Sequence, residues 1–329
     1  MTRRPETLVA EGAKGDRVAL ARLLSMVERG GEEGRAVAGL AYLEPPPYSV
    51  GLTGAPGAGK STLTDRLIAA ARTGWPPSDG AADREPVDQV AVLAVDPSSP
   101  FTGGAILGDR VRMQDHATDP TVFIRSMATR GHLGGLALAV PDAVRVLGAV
   151  GVPVVVVETV GVGQMEVEVA SATDTTVVVV TPGWGDSMQA NKAGLLEVAD
   201  LFVINKADRP GAREARRDLD QMLDLSAPGV RRPPIVETVA STGDGVEALW
   251  EEVARHRRWL VDSGEIDRRR TARLAQELRR VLVARLLGRV EELSTGDAFA
   301  AALVEVAAGR LDPYGAADLL VASPGPDRR

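Results

Sequence analysis

Residues 54–61 read Gly54-Ala55-Pro56-Gly57-Ala58-Gly59-Lys60-Ser61, a match to G-x-x-x-x-G-K-[ST]. They follow a strand-like run and open the helix-like stretch TLTDRLIAAAR, the setting in which this pattern binds phosphate. Glycines let successive backbone N–H groups turn toward phosphate oxygens, and the helix N-terminus adds positive potential. Lys60 brings a mobile charge to the β and γ phosphates, and the Ser61 hydroxyl is placed to hold Mg2+. A glycine-rich turn before a helix is the bland alternative, but a chance match to the full pattern in a chain of this length is expected only about 0.005 times.

A second motif speaks to the base. Asn205-Lys206-Ala207-Asp208 ends a hydrophobic run and fits N-K-x-D. Asp208 offers an acceptor to the ring N–H and exocyclic amine of guanine, groups adenine does not present in that arrangement. A carboxylate buried without its donors is costly, so such a site rejects the wrong base by about 10⁴-fold or more. GTP is therefore expected over ATP. Asn191-Lys192-Ala193-Gly194 has the first two residues without the aspartate and cannot read a base this way. Val239-Ala240-Ser241, after the next strand-like run, suits a loop that closes over the guanine.

Acids for a metal lie at the ends of two further runs. Residues 154–158 end in Glu158, followed by Thr159-Val160-Gly161, an E-x-x-G where many GTPases carry D-x-x-G. Glu158 can meet Mg2+ directly or through a water, and Gly161 can offer its N–H to the γ phosphate. A second run ends at Asp96, and the loop after it carries Asp109. Either can approach the metal, with solvated loop acids as the alternative.

The elements that must position these groups follow from hydrophobic patterning. Short β-branched runs at 49–53, 90–96, 122–125, 154–158, 176–181, 201–205 and 235–238 alternate with helical stretches. Several are continuously apolar, as strands covered on both faces are. The expected fold is α/β: a P-loop NTPase, G-protein-like sheet, mostly parallel and flanked by helices. Three segments are expected: an N-terminal helical extension (1–44), the GTPase domain (45–262) and a C-terminal helical segment with a disordered tail (263–329), the last being the dimerisation segment under the family resemblance given below. Residues 5–43 read as helical with Leu20, Leu23, Leu24 and Val27 on one face. Residues 74–88, rich in proline, glycine and acids, read as an exposed loop without chemistry. Leu274, Leu278, Val281, Leu282, Leu286, Val290 and Leu293 fall near helical spacing, a stripe that suits either core or a second subunit.

Composition bounds the rest. The 329 residues are 44% hydrophobic and 25% charged, ordinary for a folded protein. A net charge of −7 disfavours nucleic acid and anionic membranes as partners. No apolar run approaches the roughly 20 residues of a membrane span and the start has no secretory pattern, so the cytoplasm is expected. With no cysteine, and only His116, His132 and His256, thiolate sites are excluded and a histidine metal site is not expected. Of 38 basic residues only four are lysines, and Lys60, Lys192 and Lys206 all fall in motifs.

DPSSPFTGGAILGDRVRM, RGHLGGLA, ETVGVGQMEVEVA, PGWGDSMQANKAG, ADLFVINKAD and RLDPYGAADLL together resemble the MeaB/ArgK family, GTPase chaperones of adenosylcobalamin-dependent acyl-CoA mutases such as methylmalonyl-CoA mutase. The resemblance spans nearly the whole chain. It implies Gly54, Ala55, Pro56, Gly57, Ala58, Gly59, Lys60, Ser61 and Thr62 around the phosphates. It implies Ser61, Asp96, Asp109 and Glu158 around Mg2+, and Asn205, Lys206 and Asp208 around guanine. Residues 96–113 and 158–170 are implied to be nucleotide-sensing switches, and 181–192 a third, mutase-facing one with Asp186, Gln189 and Lys192. It also implies a homodimer through the C-terminal helices and slow intrinsic hydrolysis. Trp184, Met188, Asn191 and Val111 depart from the expected pattern, which bears on partner choice more than on GTP binding. Two other classes compete: an ATP-dependent kinase, which would accept adenine, and a nickel-delivering metallochaperone GTPase, which would want cysteine or clustered histidine.

Overall fold

The β-branched runs become strands because valine, isoleucine and threonine fit a pleated surface and each run meets apolar neighbours on both faces. The computed structural model describes residues 3–76, 85–97, 116, 119–129, 135–159, 172–184, 197–224 and 231–322. Its strands are β1 (Tyr48–Gly54), β2 (Val90–Pro97), β3 (Val122–Thr129), β4 (Val154–Thr159), β5 (Thr175–Val180), β6 (Leu201–Asn205) and β7 (Ile235–Thr238). They form one parallel sheet in the order β3-β2-β4-β1-β5-β6-β7. The fold class is the α/β P-loop architecture expected.

Alternate residues of each strand feed opposite layers. Val50, Leu52, Val92, Val156 and Val179 share a core with α4 (Lys60–Arg72) and α7 (Val246–Asp262). On the other face Leu93, Val95, Val155 and Val157 meet α1 (Pro5–Gly12), α2 (Arg17–Arg29), α3 (Gly31–Ala41) and α5 (Gly135–Ala149). Val178, Val180, Phe202 and Ile204 meet α6 (Ala212–Asp224).

The stretch read as helical at 5–43 is made of three helices, because Asp16 caps α2 by accepting from the Val18 and Ala19 N–H groups and Gly30, at φ +70°, ends it. Two details differ from the sequence reading. β3 continues past Arg125 to Thr129 because β2 pairs with it along its whole length, through Pro97↔Thr129. The stretch 74–88 is not simply exposed. Trp75 and Val87 are buried, the Trp75 and Glu85 backbones exchange hydrogen bonds, and Trp75 stacks on Trp250 at 4.3 Å. Stacking of the Trp75 indole on Trp250 draws the start of this stretch into the core, and residues 77–84 lie outside the described residues.

The chain divides into two compact units, Met1–Arg269 and Arg270–Arg329. The helix α8 (Glu265–Ser294) runs across that boundary, and α9 (Asp297–Ala307) and α10 (Pro313–Ala322) complete the second unit. Leu278, Leu282 and Leu286 of the stripe are 71%, 55% and 57% exposed, and no described residue of α8 is buried. No helix among the described residues is long and apolar enough to cross a membrane. The expected tail, 323–329, lies outside the described residues.

Candidate nucleotide site

The crossover leaving β1 runs toward the β3 edge while those leaving β4 and β5 run toward the β7 edge, so the chain parts over the carboxyl end of β1. Open parallel sheets bind ligands at such a point. The phosphate loop occupies it. Gly54 closes β1 at φ +138°, where a Cβ would sit 2.0 Å from the Val179 carbonyl oxygen. Gly59 caps α4 at φ +87°, where a Cβ would meet Asn205 Nδ2 at 2.4 Å. Both positions are closed to any larger residue.

Lys60 is only 6% exposed, and its Nζ donates to the Gly54 and Ala55 carbonyls at 2.7 and 3.0 Å. The ammonium thus lies across the loop and can exchange those carbonyls for phosphate oxygens. Ser61 follows on the first turn of α4 and donates its hydroxyl to Glu158 Oε1 at 2.6 Å. Glu158 is 4% exposed near the end of β4, level with Leu52 of β1 and Ala94 of β2. Two residues beyond Ala94, the backbone of Asp96 reaches the same end of the sheet. The Asp96 side chain, and all of Asp109 and Gly161, lie outside the described residues.

A hydroxyl and a carboxylate meeting beside a phosphate loop form an all-oxygen donor pair, which fits Mg2+ and not a soft metal. P-loop GTPases work with Mg2+ beside the nucleotide.

The N-K-x-D residues divide their labour. Asn205 is buried, donates Nδ2 to the Ala58 carbonyl at 2.8 Å, and accepts at Oδ1 from Thr238 Oγ1 and the Ala240 N–H, both at 3.1 Å. Lys206 takes φ +59°, the only non-glycine at positive φ among the described residues, and donates Nζ to the Gly57 carbonyl at 2.7 Å. Both residues therefore brace the phosphate loop. Asp208 is exposed beyond them, open to a ligand. Ser241 is exposed and Ala240 buried in the adjoining loop.

The structure thus brings Gly54 to Thr62, Glu158, Asn205, Lys206, Asp208, Ala240 and Ser241 to one end of the sheet. Asp186, Gln189 and Lys192 lie outside the described residues, as do 98–113 and 160–170 of the expected switches. Sequence reading missed Arg66 on α4, whose Nε and Nη2 donate to the Ala240 and Ser241 carbonyls. One arginine among 34 on a helix carries no local signal. Of the histidines, His256 is buried at the opposite, amino end of the strands, and His132 is outside the described residues.

A model of the family described as "Methylmalonyl Co-A mutase-associated GTPase MeaB" matches residues 20–295. The chain belongs to the MeaB family. A Pyrococcus abyssi protein named as a GTPase is 47% identical over 96% of this chain and 95% of its own. GTPase ArgK of Escherichia coli is 35% identical over 81% of this chain and 80% of its own. The mitochondrial methylmalonic aciduria type A homolog of Mus musculus is 34% identical over 69% of this chain and 53% of its own. Among solved structures, a LAO/AO transport system kinase superposes with a TM-score of 0.67 at 25% identity over 96% of each chain. This MeaB-family member is a P-loop GTPase, converting GTP and water to GDP and phosphate.

Proposed function

We propose that the protein couples GTP binding and slow hydrolysis to the care of an adenosylcobalamin-dependent acyl-CoA mutase, methylmalonyl-CoA mutase foremost. In this reading it gates cofactor loading and protects or reactivates the mutase. The observation that supports the nucleotide half most strongly is the frame from Ala58 through Asn205 to Ala240, which ties the phosphate loop to the base loop. The mutase half rests on membership of a family described as mutase-associated.

Phosphoryl transfer needs positioned charge more than covalent chemistry. The loop N–H groups of 54–62 cradle the phosphates and Lys60 follows charge onto the γ phosphate. Ser61 and Glu158, with Asp96 and Asp109, would hold Mg2+, which would supply positive charge to offset that of the phosphates. Asp208 accepts from the guanine ring N–H and amine, while Asn205 and Lys206 keep the phosphate loop in register with it. Asp96 and Asp109 are the candidates for orienting the attacking water, and Gly161 for an N–H to the γ phosphate. A site completed by the mutase accounts for slow turnover alone, with Asp186, Gln189 and Lys192 as the partner-facing groups. The exposed leucines of α8 support pairing of two copies through the C-terminal helices.

Gating requires that the GTP and GDP forms differ in affinity for the mutase by about 1 kcal/mol or more, because a ligand that binds both forms equally shifts nothing. Candidate mutases are therefore presented to the protein loaded with GDP or a non-hydrolysable GTP analogue. The expected result is nucleotide-dependent capture, faster hydrolysis when the mutase is added to a parallel assay with GTP itself, and twice the chain mass by light scattering of the protein alone. Equal capture in both states overturns gating, and monomeric mass overturns the pairing.

A further inference from the structure

Arg66 stands on the second turn of α4, the helix whose first residues present Lys60 and Ser61 to the phosphates. From there its guanidinium crosses to the loop at 239–242, where Nε donates to the Ala240 carbonyl and Nη2 to the Ser241 carbonyl, each at 3.3 Å. An exposed arginine on one carbonyl would be an ordinary surface contact. Here two nitrogens of one rigid fork take adjacent carbonyls, which fixes the direction of two successive peptide groups.

That direction matters for chemistry. In a trans peptide the C=O and the following N–H point opposite ways. Drawing the Ala240 carbonyl toward α4 therefore turns the Ser241 N–H away from it, while the Thr242 N–H is taken within the loop by the Val239 carbonyl at 3.1 Å. On the other side, the Ala240 N–H is held by Asn205 Oδ1. The loop is thus clamped between two partners that both answer to the phosphate loop: Asn205 through the Ala58 carbonyl, Arg66 through α4. A Ser241 N–H of fixed direction offers a donor to a carbonyl-bearing ring edge. Guanine has a carbonyl at position 6; adenine has an amine, which needs an acceptor instead.

We propose that Arg66 is a positioning residue for base selection, holding the 239–242 loop so that the Ser241 N–H favours the 6-carbonyl of guanine and linking that loop to the phosphate-binding helix. The inference rests on the reading that Asp208 and this loop receive guanine.

The test uses the full chain with Arg66→Gln and Arg66→Lys, titrated with GDP and with ADP and assayed with GTP. Arg66→Gln is expected to weaken GDP about three- to tenfold, the scale of losing one or two partly exposed hydrogen bonds. ADP affinity moves less than about twofold, because adenine does not use this donor, so the GDP-to-ADP preference falls by nearly the whole factor. The loss falls on the KM for GTP, with kcat at saturation moved far less. Arg66→Lys recovers part of the loss, since a single ammonium can serve one carbonyl in line but not both. Unchanged GDP affinity overturns the proposal, and so does equal weakening of GDP and ADP, which would mark general damage to α4. A wild-type chain that binds no GDP overturns the guanine reading itself, a result distinguishable from a wild type that binds GDP while Arg66→Gln matches it.

Discussion

Gly59 must be glycine for two independent reasons, its left-handed backbone and the Asn205 amide 2.4 Å from where a Cβ would stand. Gly57 shares only the first: its φ is +75°, but nothing lies within 4 Å of its would-be Cβ. The pair separates backbone strain from collision. Gly57→Ala is expected to cost the nucleotide-free protein about 1–2 kcal/mol, the ordinary penalty of left-handed backbone for a residue with a Cβ. Gly59→Ala adds displacement of Asn205, which breaks its links to Ala58, Thr238 and Ala240, and should cost about 2–4 kcal/mol in total. Denaturant titration of both variants checks this, and equal losses would contradict the bracing role given to Asn205. The motif itself was legible in the sequence, because glycines, lysine and hydroxyl lie within eight residues. That Asn205 and Lys206 brace the phosphate loop was not legible, because the Ala58 and Gly57 carbonyls they hold are far away in sequence and carry no side-chain signal.

At the scale of elements, the amino ends of β5 and β6 are joined to α7 and α8 through Asp200. Its carboxylate accepts from the Thr176 N–H at 2.9 Å and Arg269 Nη1 at 2.9 Å, and lies 3.3 Å from His256 Nε2. His256 in turn bonds Thr175 Oγ1 through Nδ1 at 2.7 Å, and Thr175 meets the Tyr48 hydroxyl, which burial pushes well above its ordinary range. Burial alone would raise the Asp200 pKa, but the His256 imidazole 3.3 Å away, the charge of Arg269 and the Thr176 N–H outweigh it and hold the carboxyl below its usual 3.8. A lowered carboxyl contributes stability above its unfolded value and loses it as it protonates in the fold. Asp200→Asn should therefore cost about 1–3 kcal/mol at pH 7. The gap to wild type should close as pH falls below 3.8. Chemical denaturation at pH 7 and near pH 3 measures both, and a gap that is constant across that range would contradict the assignment. Continuous valine runs made β4 and β5 legible; the end of β3 and the buried edge of 74–88 depend on partners, β2 and Trp250, that local patterning does not reveal.

For the whole molecule, the parallel sheet separates two kinds of polar chemistry. The carboxyl ends carry Lys60, Ser61, Glu158 and Asp208, groups left accessible or exchangeable for a ligand, while the amino ends carry the closed network of Tyr48, Thr175, His256 and Asp200. A chain of net charge −7 gathers two of its four lysines against one glycine-rich loop, which is where an anion is wanted. The parallel sheet gathers these groups at one end, where Asp208 stands exposed. The most direct test is calorimetric titration of the nucleotide-free chain with GTP and Mg2+, repeated with ATP. One GTP per chain, with ATP at least about 100-fold weaker, is the predicted result; no heat from GTP, or equal binding of ATP, would contradict the account.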